Sequence, residues 1–209
     1  LLSTGMADME EIFDAVEVIE RASPCGTGAP LVLLHCVSSY PTPDASANLN
    51  AIPYLRDRTG RSVGYSDHTL GIEACLAAVA LGARVIEKHF TSDKTRTTFR
   101  DHQLSADPAD LAHLVKGIRR VETMLGEAGK ALREVETQNR VSMRRSLAAR
   151  TAIHKGEVIT PAMLTILRPG TGLPPSKMHE VIGLRAMKDL VPGELLTLDA
   201  LTEMESCAT

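Results

Sequence analysis

The sequence predicts an α/β protein in two parts, a parallel sheet built from βα units followed by a small β-rich domain. Three observations carry this. Up to about residue 127 short β-like runs alternate with longer helical ones, and such alternation implies parallel strands with right-handed crossovers. The polar residues of those runs cluster at their C-terminal ends, where a (β/α) barrel or a doubly wound sheet does its chemistry. After Arg144 the texture changes to short apolar pieces broken by Pro and Gly, and one of them recurs further along.

In chain order, the β-like runs are the stub Leu1–Gly5, then Leu31–Val37, Ser62–Tyr65 and Arg84–Phe90. They give four βα units, half of an eightfold barrel. The spacing predicts a helix over Ala7–Ala22: Asp8, Glu10 and Glu11 suit the positive end of a helix dipole, and Ile12, Val16 and Ile19 recur at helical intervals. Asn48–Arg58 and Gly71–Leu81 follow. Pro108–Leu125 opens with Asp107 as N-cap and Pro108 at the first helical position, and Gly126 closes it. From Gly126 to Met143 the chain is polar and weakly patterned, a linker with some helical character. The expected division is 1–127 for the βα part, which the resemblance given below makes a catalytic partial barrel, 128–143 as linker and 144–209 as small domain. Within the last part, Ile153-His154-Lys155-Gly156-Glu157-Val158-Ile159-Thr160 is echoed by Leu190-Val191-Pro192-Gly193-Glu194-Leu195-Leu196-Thr197. Each copy reads as a turn with a Gly and then a short apolar strand, so the small domain is expected to be pseudo-symmetric.

Composition narrows the function classes. With 23 basic against 26 acidic residues and 3% aromatics, the chain has neither a large basic field nor the rings to stack on bases, so nucleic acid is a poor partner. Apolar runs such as Ala74–Leu81 fall far short of the ~20 residues of a membrane helix. Cys25, Cys36, Cys75 and Cys207 share no C-x-x-C spacing, which supports neither a disulfide framework nor a zinc ribbon and points to the cytoplasm. Phosphate-binding glycine loops, nucleophile elbows and H-E-x-x-H are absent. The chain opens Leu-Leu-Ser-Thr-Gly, as if in mid-strand, and is expected to be a piece of a longer protein.

The sharpest local feature is the pair His68 and His89, each closing one of two consecutive parallel strands. By alternation Gly64, Ser66 and His68 share one face, and Val85, Glu87 and His89 share one on the next strand. Two imidazoles on neighbouring strand ends can converge on a divalent cation with positions left open; equally, they can be ordinary polar residues satisfied at a sheet edge. His35 has the opposite parity to Cys36, Ser38 and Tyr40 and reads as a structural hydrogen-bonding residue. Cys36 is expected to be buried and inert. Pro41 and Pro43 stiffen the loop that carries Ser38, Ser39 and Tyr40. Lys94–Asp101 reads as a basic, Thr-rich loop, and Arg168 precedes a Gly-rich turn.

These stretches together resemble the sialic acid synthase (N-acetylneuraminate synthase) family. The residues that carry the resemblance are Ser3-Thr4-Gly5-Met6-Ala7, the block from His35-Cys36 to Tyr40-Pro41-Thr42-Pro43, Gly64-Tyr65-Ser66-Asp67-His68-Thr69, Gly82-Ala83, Glu87-Lys88-His89-Phe90 and Asp101-His102 with Ser105. In the small domain they are Arg145-Ser146, Ile153 through Glu157, Arg168-Pro169-Gly170 and Ile182-Gly183. The resemblance implies strands five to eight of a (β/α)8 TIM barrel followed by an antifreeze-like (SAF) domain. It implies condensation of phosphoenolpyruvate with an N-acetylated aldose such as N-acetylmannosamine, giving a nine-carbon ulosonic acid and phosphate for surface polysaccharide biosynthesis. Mn2+ or Mg2+ is the implied cofactor, with His68 and His89 as its ligands. Ser3, Ser38 and Ser66 match positions around phosphoenolpyruvate, Glu87 one that orients substrate or handles a proton, and Tyr40 and Asp101 sugar-contacting positions. Arg168 matches an arginine that the small domain delivers into the partner's barrel, implying a homodimer in which that domain acts as a lid. Two departures bear on the acceptor: Phe99-Arg100 stands where members commonly have Gly-Pro or Gly-Thr, and Ser38 where many have Asn. A legionaminate or pseudaminate precursor therefore fits as well as N-acetylmannosamine. Two rival readings are a non-catalytic carbohydrate-binding protein and a Schiff-base aldolase, for which Lys88 is the one candidate lysine and has outward parity. Half a barrel alone is expected not to turn over substrate.

Overall fold

The computed structural model describes residues 1–22, 31–95 and 100–202; Cys25, Phe99, Cys207 and the tail Glu203–Thr209 lie outside them. The chain divides into two compact units, Leu1–Ala128 and Gly129–Thr209. Among the described residues no helix is long and apolar enough to cross a membrane.

The first unit is a TIM-barrel-type fragment, a parallel sheet in the order β1 (Leu2–Ser3), β2 (Val32–Cys36), β3 (Ser62–Asp67), β4 (Ile86–Lys88). Between strands run α1 (Met9–Ala22), α2 (Ala51–Thr59) and α3 (Glu73–Ala80); α4 (Arg100–Leu104) and α5 (Pro108–Leu125) follow β4. Arg100 and Asp101, expected in a loop, thus open a short helix. Caps fix two of the longer helices. The Asp8 carboxylate accepts the Glu10 and Glu11 N–H groups at 2.9 and 3.0 Å while Glu11 returns a bond to the Asp8 N–H, and Asp107 and Asp110 form the same reciprocal pair at the start of α5.

Strand alternation divides the sheet into two faces. Leu33, Val63 and Tyr65 pack with Ile12 and Val16 of α1, Ile52 and Leu55 of α2, Cys75 and Ala78 of α3 and Leu114 of α5 into one core. The opposite face carries Ser3, Leu34 and Gly64 in one row and Cys36, Ser66 and Glu87 in the next, as the register pairs them. Only Gly fits at position 64: a Cβ there would lie 2.6 Å from the Val85 carbonyl oxygen and 2.6 Å from Leu34 Cδ2.

In the second unit α6 (Thr137–Met143) leads into β5 (Ser146–Ala149), antiparallel to β6 (Leu164–Leu167); α7 (Met178–Val181) precedes β7 (Arg185–Ala186), antiparallel to β8 (Leu201–Thr202). The repeat is a structural one. Gly156 N–H bonds to the Ala186 carbonyl at 2.7 Å and Gly193 N–H to that of Ala149 at 2.8 Å; Ile159 bonds to Leu184 and Leu196 to Leu147, both at 2.9 Å. Every one of these pairs maps onto its partner by the spacing that separates the two sequence copies. Ile153 and Leu190, equivalent positions, exchange both backbone bonds with each other, as residues on a pseudo-twofold axis must. The expected apolar strands within each copy contract to single bridges, Val158 with Arg185 and Leu195 with Ala148. Each run crosses to the other half's sheet and meets it for one residue pair, while its apolar side chains (Ile153, Ile159, Leu190, Leu196) fill the shared core.

Candidate active site

The site is built on the second face of the first unit, just beyond the C-terminal ends of β3 and β4. Asp67 and Lys88 end those strands, so His68 and His89 are the first residues past the ladder. Their ring centroids lie 5.1 Å apart at 68°. Tyr40 from the β2–α2 loop joins them, 4.2 Å from the His68 ring and 5.8 Å from that of His89. The loop is held in that pose by Thr42, whose N–H donates to the His68 carbonyl at 2.9 Å and whose hydroxyl donates to the Ser39 carbonyl at 2.8 Å.

His68 Nδ1 lies 3.0 Å from the Val37 carbonyl oxygen. A carbonyl only accepts, so Nδ1 carries a proton and Nε2 is the ring nitrogen not tied to the backbone, the arrangement found behind metal-ligating histidines. Cys36 is buried and free, with Sγ 3.9 Å from the same Nδ1. The donor set therefore fits a divalent cation as a partial set of two imidazoles with open positions; among the described residues no group of three or more His, Cys, Asp or Glu gathers around one point.

One row nearer the sheet, the Ser66 hydroxyl donates to Glu87 Oε1 at 2.7 Å, so these two site candidates meet. Ser38 Oγ lies against Gly5, where a Cβ would come within 2.4 Å of it. Ser3 stands on β1 in register with Leu34 and makes no side-chain hydrogen bond among the described residues. Asp101 opens α4, and its carbonyl accepts the Ser105 N–H at 3.0 Å. Burial pushes the Tyr40 hydroxyl up, and Cys36, Asp101 and Glu87 push it the same way, so Tyr40 stays a neutral donor. Arg168, in the second unit, is exposed, and its Nε donates to the Met143 carbonyl at 3.0 Å. That anchor leaves the terminal nitrogens of the guanidinium for an anion or a sugar oxygen. His35 bonds through Nε2 to the Ala47 carbonyl at 2.8 Å and stacks on Tyr65.

A second constellation escaped sequence reasoning. Behind the histidines, on the helix side, the Asp67 carboxylate is fully buried. Oδ1 accepts the Tyr65 hydroxyl at 3.1 Å and the Thr69 N–H at 2.8 Å; Oδ2 accepts Lys88 Nζ at 2.7 Å and the Cys75 thiol at 3.1 Å. Lys88 also donates to the Thr69 carbonyl at 3.0 Å. Burial raises the Asp67 carboxyl, but the bonds from Lys88, Thr69 and Cys75 outweigh it and hold the group below the usual carboxylate range. Burial, reinforced by the Asp67 charge, pushes the Cys75 thiol and the Tyr65 hydroxyl well up. Asp67 and Lys88 are register partners, and an acid and a base side by side on the covered face of a sheet are the signal that finds them.

A TIM-barrel-type parallel sheet with polar side chains gathered beyond its strand ends, continued by a SAF domain at residues 144–202, defines the class. Residues 1–130 match the NeuB family, and the chain belongs to that family. It is 41% identical over 196 residues to the N,N'-diacetyllegionaminic acid synthase of Legionella pneumophila, covering 94% of this chain and 55% of that protein. It is 39% identical over 197 residues to a pseudaminic acid synthase of Campylobacter jejuni, again 94% and 55%. Among solved structures, the N-acetylneuraminic acid (sialic acid) synthetase of Leptospira borgpetersenii superposes with a TM-score of 0.58 and 41% identity over 66% of this chain and 46% of that one. The chain spans little more than half the length of the curated relatives it matches.

Proposed function

We propose that this chain is the catalytic C-terminal part of a synthase that condenses phosphoenolpyruvate with an N-acetylated aldose, releasing phosphate and a nine-carbon ulosonic acid. The observation that supports it most is the His68–His89 pair, with His68 Nδ1 tied back to the Val37 carbonyl. His68 and His89 would hold Mn2+ or Mg2+, and the chemistry such an ion supplies is Lewis-acid polarisation of the sugar aldehyde. Serine hydroxyls at Ser3 and Ser38 donate to carboxylate or phosphate oxygens of phosphoenolpyruvate, and the Ser66 hydroxyl, which donates to Glu87 in the unliganded chain, turns its one O–H to the substrate when it binds. The enol carbon attacks the aldehyde carbon, the aldehyde oxygen becomes a hydroxyl, and water added at the resulting oxocarbenium carbon drives out phosphate. Glu87 orients the reacting groups or relays a proton between them, while Tyr40 and Asp101 contact the sugar. Arg168, anchored at its Nε, reaches the site across a homodimer, where the small domain excludes water as a lid. The acceptor is N-acetylmannosamine or the corresponding precursor of legionaminic or pseudaminic acid.

The test is phosphate release by the full-length parent, loaded with Mn2+ and given phosphoenolpyruvate and a panel of N-acetylated hexoses. Turnover with one of them is expected; a folded, metal-loaded sample inert toward all of them overturns the reading.

A further inference from the structure

We infer that the buried Asp67–Lys88 ion pair is a positioning device that fixes the two histidines relative to each other from the opposite side of the sheet. This rests on the reading of His68 and His89 as a joint site. Asp67 directly precedes His68 and Lys88 directly precedes His89, so alternation sends the ion pair to the helix side and the imidazoles to the other. Side-chain exposure is 0% for Asp67 and 5% for Lys88, so neither meets a ligand at the histidines; whatever they do there passes through the backbone.

The connections that carry it are specific. Lys88 Nζ bridges Asp67 Oδ2 and the Thr69 carbonyl, and Asp67 Oδ1 takes the Thr69 N–H. The residues on both sides of His68 are thereby clamped to the residue before His89. Tyr65 and Cys75 complete the carboxylate, so all four of its acceptor positions are used and it has no second orientation of equal energy. Burying two charges is an expensive way to join strands that already share a backbone ladder, and apolar pairs of similar size do it at no loss of stability. The ion pair adds what an apolar pair does not, a directional lock on the short segment that carries His68.

The test uses three variants. Lys88→Arg keeps the pair. Lys88→Met removes one partner. Asp67→Asn/Lys88→Met removes both charges together and so leaves no buried charge unpaired, which keeps a folded sample available. Two readouts are taken on each: nuclear Overhauser contacts among the His68, His89 and Tyr40 ring protons in the metal-free chain, and the dissociation constant for Mn2+ alone, from the paramagnetic resonance of free Mn2+. The ring contacts are expected to persist in Lys88→Arg and to vanish in the double variant, with Mn2+ affinity weakened about 10- to 100-fold, as for other losses of outer support at a metal site. A folded double variant with unchanged ring contacts and Mn2+ affinity within twofold overturns the inference. If the parent chain itself does not bind Mn2+, the metal reading falls, and the ring contacts alone decide the positioning role.

Discussion

The buried cluster behind the histidines makes the first unit alkali-sensitive, and one substitution removes the part of that sensitivity that sets in at the lower pH. In the folded chain the Cys75 thiol is surrounded by the core and donates to Asp67, and burial together with that carboxylate pushes its pKa well up. In the unfolded chain it loses its proton near pH 8.5. Above that pH the unfolded state binds one proton fewer than the folded state, so ν_U − ν_N is −1 and stability falls as pH rises, approaching ~1.4 kcal/mol per pH unit. Tyr65 adds an equal slope above about pH 10, where an unfolded tyrosine ionises. Cys75→Ala deletes the first contribution. The lost thiol bond lowers stability by a constant amount, whereas the slope between about pH 8.5 and 10 flattens. All three tyrosines (Tyr40, Tyr54, Tyr65) lie in the first unit and the chain has no tryptophan, so tyrosine emission during urea unfolding follows that unit alone. Unfolding free energies measured under reducing conditions from pH 7.5 to 10 are expected to converge for the parent and the variant as pH rises. Parallel curves would refute the reasoning.

Other consequences follow from the same geometry. Gly64→Ala puts a methyl 2.6 Å from the Val85 carbonyl, which is held in place by the Tyr65 N–H; about 1–3 kcal/mol of destabilisation is expected in urea unfolding, and a neutral result would show that β3 and β4 can part freely. Gly156 (φ 84°) and Gly193 (φ 90°) occupy equivalent turns with open space around them, so Gly156→Ala and Gly193→Ala should each cost about 1–2 kcal/mol from backbone strain alone; clearly unequal thermal shifts would deny the equivalence. In the full-length parent, His68→Ala or His89→Ala should abolish Mn2+-dependent phosphate release, and retained metal dependence would exclude them as ligands. The described residues of the first unit form a sheet of four parallel strands, and the 209-residue chain alone is expected to release no phosphate from phosphoenolpyruvate and sugar; robust turnover would contradict the need for a closed barrel.

What could be read from the sequence, and what could not, divides along one physical line. Hydrophobic periodicity and cap residues are local, so α1, α5 and the strand order were legible, as was the small domain's repeat. The adjacency of His68 and His89 was legible too, because two consecutive parallel strands bring their C-terminal ends together. The Asp67–Lys88 pair depends on register, and register follows from how side chains such as Leu34, Gly64 and Val85 interlock across strands. The Tyr40-Pro41-Thr42-Pro43 block singles out Tyr40, but the bond from the Thr42 N–H to the His68 carbonyl that closes its loop is long-range and has no sequence signal. Yet the two levels meet in a single dipeptide step. At Asp67-His68 and at Lys88-His89 the pleat sends a charge inward to the helices and an imidazole to the opposite face. The same alternation that makes the strand recognisable therefore also separates the groups that hold the site from those that face a ligand, and a one-residue slip of either strand would exchange them.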